Sequence, residues 1–379
     1  DYRKRLPRKM RRLAARGNRV LYLETLGTRA PKFSSGVDIG RIVRRLRRGL
    51  EGPRKREPRL WTLSPVVRPR WRTLAQISLN QFLFKRQAAA SLRRFPKPIA
   101  WIYTPYAVHL LDIVRPKMVI YHMVDDLAAV PGADVEALRD AELRLLAAAD
   151  AVFCTEQSLF DRARRTTNRA FYMPNVADYA HFSEPGDVST GSATRLAHLR
   201  SLPHPRIVFS GNLAPHKVDL ELLARLAKKR RDWHFVLIGP QWEGDEPPRA
   251  LSVLRKLPHV HFTGHLPYED LPAFLHEADV LTIPYVQNEA TRAVFPLKFF
   301  EYLATGRPVV TSPLPSLYPY QGVARMAGTA GEWERAIEES LADQPSRRLQ
   351  RKARARRNTR ERRLGEREQA LSRSLTYRK

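Results

Sequence analysis

The sequence predicts an α/β protein built from two Rossmann-like domains. Short apolar runs of strand length alternate with amphipathic helical runs, the pattern of a parallel sheet. The alternation occurs twice, on either side of a Ser-, Gly-, Thr-, Pro- and His-rich stretch at 179–205. The chain's 379 residues, 43% of them hydrophobic, suit two domains with real cores. The resulting division is an N-terminal domain over 1–178, a linker over 179–205, a C-terminal domain over 206–345 and a basic helix or tail over 346–379.

In the first half, residues 3–16 are basic, with Leu6, Met10 and Leu13 at helical spacing and Gly17 as the stop. Val20–Leu23 reads as a strand ending at Glu24, the second half of a βαβ unit whose first strand is absent, which suggests a truncated N-terminus. Residues 41–59 form a basic, partly amphipathic run carrying Ile42, Val43, Leu46 and Leu50. That run suits either a membrane surface or a solvated face. Residues 71–94 read as a long helix, broken by Pro96 and Pro98. Ile99–Tyr103 and Met118–Tyr121 read as buried strands, with a helix near Tyr106–Val114 between them. The second strand runs into His122-Met123-Val124-Asp125-Asp126. Parallel sheets bind ligands at the carboxyl ends of their strands, which makes Asp125 and Asp126 candidates. Capping aspartates of a strand-to-helix loop are the competing reading. Helices at 136–149 and 155–165 and strands at 150–154 and 170–173 complete this half.

In the second half, a strand at 206–210 leads into Gly211-Asn212 and on to Lys217 and a helix at 218–230. Gly211-Asn212 permits close backbone approach to a diphosphate, and Lys217 can neutralise a phosphate. Further strands read at 233–238 ending at Gly239, at 260–262 ending at Thr263-Gly264, and at 279–283. The stretch 288–312 then reads as loop, helix, turn and strand. Pro296 fits the first helical turn, Phe299, Phe300, Leu303 and Ala304 form the apolar stripe, Gly306 stops the helix, and 309–311 is a strand. Lys298 and Glu301 lie near the helix start. Free N–H groups there favour phosphate oxygens, and a carboxylate can accept two hydrogen bonds from a ribose diol. A simple dipole partner is the alternative role for Glu301. Residues 332–341 read as a helix, and 346–375 are dominated by arginine.

The net charge of +29 favours polyanions such as nucleic acid or an anionic membrane, although a general arginine bias would produce it too. No RNA-binding aromatic motif is present, which argues against nucleic acid. No apolar run approaches the ~18 residues of a membrane span, and the N-terminal stretch lacks a secretory segment. The single cysteine, Cys154, excludes an intrachain disulfide and suggests a reducing compartment. The eleven histidines are scattered, His259 and His261 read as surface, and no Cys/His metal spacing occurs.

Pro296-Leu-Lys-Phe-Phe-Glu-Tyr-Leu-Ala-Thr-Gly-Arg-Pro-Val-Val310 resembles the donor-binding signature of GT-B glycosyltransferases related to family 4, also called group 1. Asp150–Thr155 and Pro174-Asn175-Val176-Ala177-Asp178 resemble further phrases of that family. The resemblance implies the GT-B fold, two Rossmann-like domains with an inter-domain cleft and a C-terminal helix crossing back. It implies that Glu301 holds the donor ribose and that Gly211, Asn212 and Lys217 form the donor loop. It places Gly264, His265 and Leu266 at the nucleobase and Lys298 at the leaving diphosphate. Gly239 and Thr291 complete the candidate donor set, and Asp125, with Asp126 second, would face the acceptor hydroxyl. Many members carry a further Glu where this chain has Ala293, so the donor sugar and the stereochemical outcome stay open. The implied activity is metal-independent transfer from a UDP- or GDP-linked sugar, with no other cofactor. The acceptor would be a lipid-linked or cell-envelope glycan, met at the cytoplasmic face of a membrane. A non-catalytic binding protein on this scaffold and a nucleotide-sugar epimerase are the alternatives.

Overall fold

The computed structural model describes residues 8–24, 52–68, 70–130, 132–241, 248–359, 362, 363, 365 and 366. The features expected at 3–7, 41–51 and 367–375 lie outside these. The chain forms two compact units, Asp1–Cys154 with Leu159–Phe171, and Thr155–Ser158 with Tyr172–Lys379.

In the first unit, α1 (Arg8–Ala15) ends at Gly17, whose φ of 91° is open to glycine. The strand β1 (Val20–Leu23) pairs in parallel with β3 (Leu60–Leu63), and β2 (Arg54–Glu57) pairs antiparallel with β3. Part of the basic stretch expected to be a membrane or solvated face is therefore a sheet strand, with Arg56 donating to Thr62 Oγ1 at 2.9 Å. Helix α2 (Leu74–Arg94) starts at a Thr73/Gln76 capping box and buries Asn80, Phe84, Ala88 and Ser91, a stripe of helical spacing. A second sheet orders β4 (Ile99–Ile102), β5 (Met118–Met123), β6 (Ala151–Cys154) and β7 (Ala170–Tyr172). Its first three strands are parallel, joined through α3 (Leu111–Val114) and α4 (Val135–Ala148). Helix α5 (Gln157–Arg164) follows β6.

The second unit opens with α6 (Tyr179–Phe182) and α7 (Thr190–Ser201). These fill the stretch expected to be a linker. Leu196, Leu199 and Leu202 are buried in this unit's core and Ser192 is fully buried, so the small polar residues conceal a packed helix. The strands β8 (Arg206–Ser210), β9 (His234–Ile238), β10 (Val260–Gly264), β11 (Val280–Ile283), β12 (Val309–Thr311) and β13 (Arg325–Met326) form one parallel sheet in the order β10-β9-β8-β11-β12-β13. Its helices are α8 (Leu220–Lys229), α9 (Arg249–Leu254), α10 (Leu271–His276), α11 (Glu289–Arg292), α12 (Leu297–Thr305), α13 (Ala330–Leu341) and α14 (Pro345–Arg356). Pro296 is the N-cap of α12 rather than part of its first turn, and Gly306 closes that helix at φ 78°.

Helix α14 packs on α12. Its buried Arg351 pairs with Asp343 at 2.6 Å and donates to the carbonyl of Gly306 at 2.9 Å. The arginine-rich run is thus ordered to residue 356 because its inward-facing charge is satisfied.

Candidate functional site

The second unit's strand order reverses between β8 and β11. Chain segments leave the two strands in opposite directions there, and such a switch point opens a crevice at the carboxyl ends. Three neighbouring strand ends at this edge carry glycine. Gly211 donates to Ile238 O at 2.7 Å and Gly239 donates to Gly264 O at 2.9 Å, with φ of 148°, 135° and 69° for Gly211, Gly239 and Gly264. A Cβ on Gly239 would come within 2.1 Å of Gly211 O, and one on Gly211 within 2.4 Å of Lys298 Nζ. At Gly239 backbone approaches too closely for any side chain, at Gly211 a methyl would displace the Lys298 ammonium, and at Gly264 it is the positive φ that favours glycine.

Helix α12 aims Lys298 at that rim. Its ammonium lies 4.0 Å from the ring centre of Phe209 and 5.3 Å from that of Tyr285, while Lys217 Nζ lies 5.4 Å from Tyr285. Lys298 is half-buried by surface, but its charged end sits among these rings. That burial, reinforced by the Lys217 charge and opposed by Glu301, lowers its pKa to about 7. Neither lysine has a carboxylate in ion-pair range among the described residues. Glu301, less than one turn further along, is half-buried and accepts from the Tyr268 hydroxyl at 3.3 Å.

Tyr302 was not singled out from sequence. Its hydroxyl accepts from Ser210 N at 2.8 Å and meets Ser210 Oγ at 3.1 Å, tying α12 to the end of β8. The signal was a tyrosine inside an apolar helical stripe, since a buried phenol needs a polar partner.

The remaining donor candidates divide. Asn212 and His265 are exposed beside the rim. Leu266 is 3% exposed and belongs to the core, so only its backbone faces a ligand. Thr291 is committed elsewhere. Its hydroxyl bonds Asn288 N at 3.0 Å and Val286 O at 2.5 Å in a capping box, so its role is to hold α11. Ala293 is buried.

In the first unit, β5 delivers Asp125 to an exposed bend, where its carboxylate has no hydrogen bond or ion pair among the described residues. Asp126 differs. It accepts from Arg139 and Arg162, each at 2.7 Å, and from Ala128 N at 3.2 Å. Burial pushes its carboxyl pKa up, but the hydrogen bonds and charges of the two guanidiniums outweigh that and hold it below the usual range. Asp126 is a structural anchor rather than an acceptor-facing base. His122 is 6% exposed, and its Nδ1 accepts from Trp101 Nε1 at 3.4 Å.

Residues 204–343 match the family described as Glycosyl transferases group 1. The rim, Lys217, Lys298 and Glu301 all lie inside the matched residues. A stretch of 187 residues is 30% identical to the putative teichuronic acid biosynthesis glycosyltransferase TuaH of Bacillus subtilis. That match covers 47% of this chain and 44% of the relative, so it spans less than half of the relative's length.

Solved structures match the whole fold. Sucrose-phosphate synthase from Thermosynechococcus elongatus aligns with a TM-score of 0.67 at 16% identity, over 94% of this chain and 98% of the other. The Anabaena protein HepE, in complex with UDP-glucose, aligns at 0.62 and 15% identity, over 94% and 99%. Trehalose-6-phosphate synthase from Burkholderia multivorans aligns at 0.63 and 14% identity, over 96% and 100%. The two units are thus two Rossmann-like domains, the fold shared with these structures.

Proposed function

We propose that this protein is a glycosyltransferase that moves a sugar from a UDP- or GDP-linked donor to a hydroxyl acceptor. The observation that carries the reading is one helix, α12, presenting an ammonium and a carboxylate to a backbone rim at the sheet's switch point. In this reading Lys217 and Lys298 receive the diphosphate and stabilise its charge as the bond to the sugar breaks. Glu301 accepts the ribose hydroxyls, and the backbone of 264–266 meets the base. No metal is assigned a step. On the first unit, Asp125 is the group for the acceptor hydroxyl. The relative's name and the charge of +29 support a lipid-linked or cell-envelope glycan as acceptor, met by a peripheral protein at the cytoplasmic face of a membrane.

The test is thermal unfolding with saturating UDP or GDP. One of them should raise the melting temperature, the equivalent of roughly 3 kcal/mol at a hundredfold excess over Kd. Glu301→Ala should lose most of that shift. An unchanged shift in Glu301→Ala would sink the reading.

A second reading, a nucleotide-binding protein without transferase activity, is favoured by one observation, the buried methyl of Ala293 at the position where the resemblance implies a second Glu. A nucleotide-dependent shift with no turnover of any nucleotide-sugar would select it. Flotation with phosphatidylglycerol vesicles but not phosphatidylcholine vesicles is the outcome expected for the membrane assignment.

A further inference from the structure

The loop between β10 and α10 is fastened at several points to residues 181–195. Arg195 on α7 donates to the carbonyls of Thr263 at 3.2 Å and His265 at 3.0 Å. Asp270 at the loop's far end accepts from Ser189 N at 3.0 Å and from the hydroxyls of Ser189 and Ser192, each at 2.6 Å. Between them, His181 Nε2 meets Tyr268 O at 3.0 Å, and the two rings stack with centroids 4.8 Å apart. Phe182 meets the Tyr268 ring edge-on at 5.1 Å and the His181 ring at 4.9 Å. The tyrosine held in this way donates its hydroxyl to Glu301 Oε1.

We propose that residues 181–195 form a clasp for the nucleoside end of the donor, and that Tyr268 is the positioning residue for Glu301. The inference rests on the donor-site reading given above. A connecting loop on the surface is ordinarily among the more mobile parts of a fold. Here contacts from one segment fix its two ends and its central tyrosine, and each partner is a backbone carbonyl, a carboxylate or a ring. The clasp therefore sets the path of Gly264-His265-Leu266 without presenting a side chain to the base. The hydrogen bond at Oε1 orients the Glu301 carboxylate, whose roughly four lone-pair sites can be shared between its partners in the chain and a diol. Preorganising that acceptor removes an ordering cost from binding.

The experiment is a double-mutant cycle on the intact chain. Calorimetric Kd values for UDP and GDP are measured for wild type, Tyr268→Phe, Glu301→Gln and the double variant. Tyr268→Phe is expected to weaken the tighter-binding nucleotide about tenfold with an unchanged melting temperature. In the Glu301→Gln background the same change should cost little, because the group it positions is gone. Arg195→Met, which releases the loop carbonyls, should weaken the same nucleotide several-fold. The proposal is overturned if Tyr268→Phe leaves affinity unchanged, or if its effect adds in full to that of Glu301→Gln. If Glu301→Gln itself leaves affinity unchanged, or if neither nucleotide binds wild type, the donor-site reading fails and takes the clasp's role with it.

Discussion

The ammonium of Lys298 lies 4.0 Å from the centre of the Phe209 ring. The ring face offers a cation some attraction, but less than the water it displaces. Burial and the nearby Lys217 bring the Lys298 pKa down to about 7, from 10.5 in an open chain. A bound diphosphate favours the charged form and raises that pKa again. Above pH 7 nucleotide binding should therefore take up a proton, and affinity should fall as pH rises, by at most about tenfold per unit. Calorimetry in buffers of differing ionisation enthalpy measures the uptake, and Lys298→Met should abolish it. Stability of the free protein moves the other way. Between pH 7 and 10.5 the unfolded chain keeps a proton that the folded one has released, so stability should rise with pH relative to Lys298→Met.

Gly239→Ala and Gly264→Ala should separate crowding from backbone conformation. An alanine methyl at 239 would meet the carbonyl oxygen of Gly211 at 2.1 Å, and backbone cannot swing aside as a flexible side chain can. At 264 the space is open and only φ, at 69°, is unfavourable. Urea unfolding is expected to show a loss of roughly 3 kcal/mol or more at 239, against about 1–2 kcal/mol at 264.

The neighbouring aspartates should behave oppositely. Asp126→Asn removes one of the two carboxylates that Arg139 and Arg162 share, with Glu142 remaining, and should destabilise by about 1–2 kcal/mol. Asp125→Asn should stay within about 0.5 kcal/mol in stability. In a transfer assay with the preferred nucleotide-sugar, the same variant should lose about a hundredfold in kcat.

Thr291→Val keeps the shape of the side chain and removes its hydroxyl. Loss of the capping box should cost about 1 kcal/mol in thermal unfolding. Nucleotide affinity should stay close to wild type, since Thr291 holds α11 rather than the ligand. A large drop in affinity at unchanged stability would contradict that assignment.

The second unit's sheet was legible because parallel strands buried on both faces read as unbroken apolar runs, as in Ile207-Val208-Phe209 and Phe235–Ile238. Lys298 and Glu301 were legible because a helix start with nearby charge is a local pattern. Asp126 was not, because its partners Arg139 and Arg162 stand 13 and 36 positions away and nothing local announces them. Helix α7 was hidden by its composition, whose buried Ser192 donates to the distant Asp270. The strand β3 escaped notice because its four residues, Leu60–Leu63, are a short apolar run just past the basic stretch, and its identity comes from β1, to which it is hydrogen-bonded. In each case the missing information was a long-range partner.

The glycine rim also limits how this protein can diversify. At Gly239 a mutation cannot install a new contact, because even a methyl group meets backbone, and at Gly211 one would push the Lys298 ammonium aside. On the donor-site reading, changes in donor preference would arise where side chains are exposed, around residues 287–290 and along the 265–268 turn. Comparing close homologues at those two segments, rather than at the rim, is the way to trace which sugar each lineage came to use.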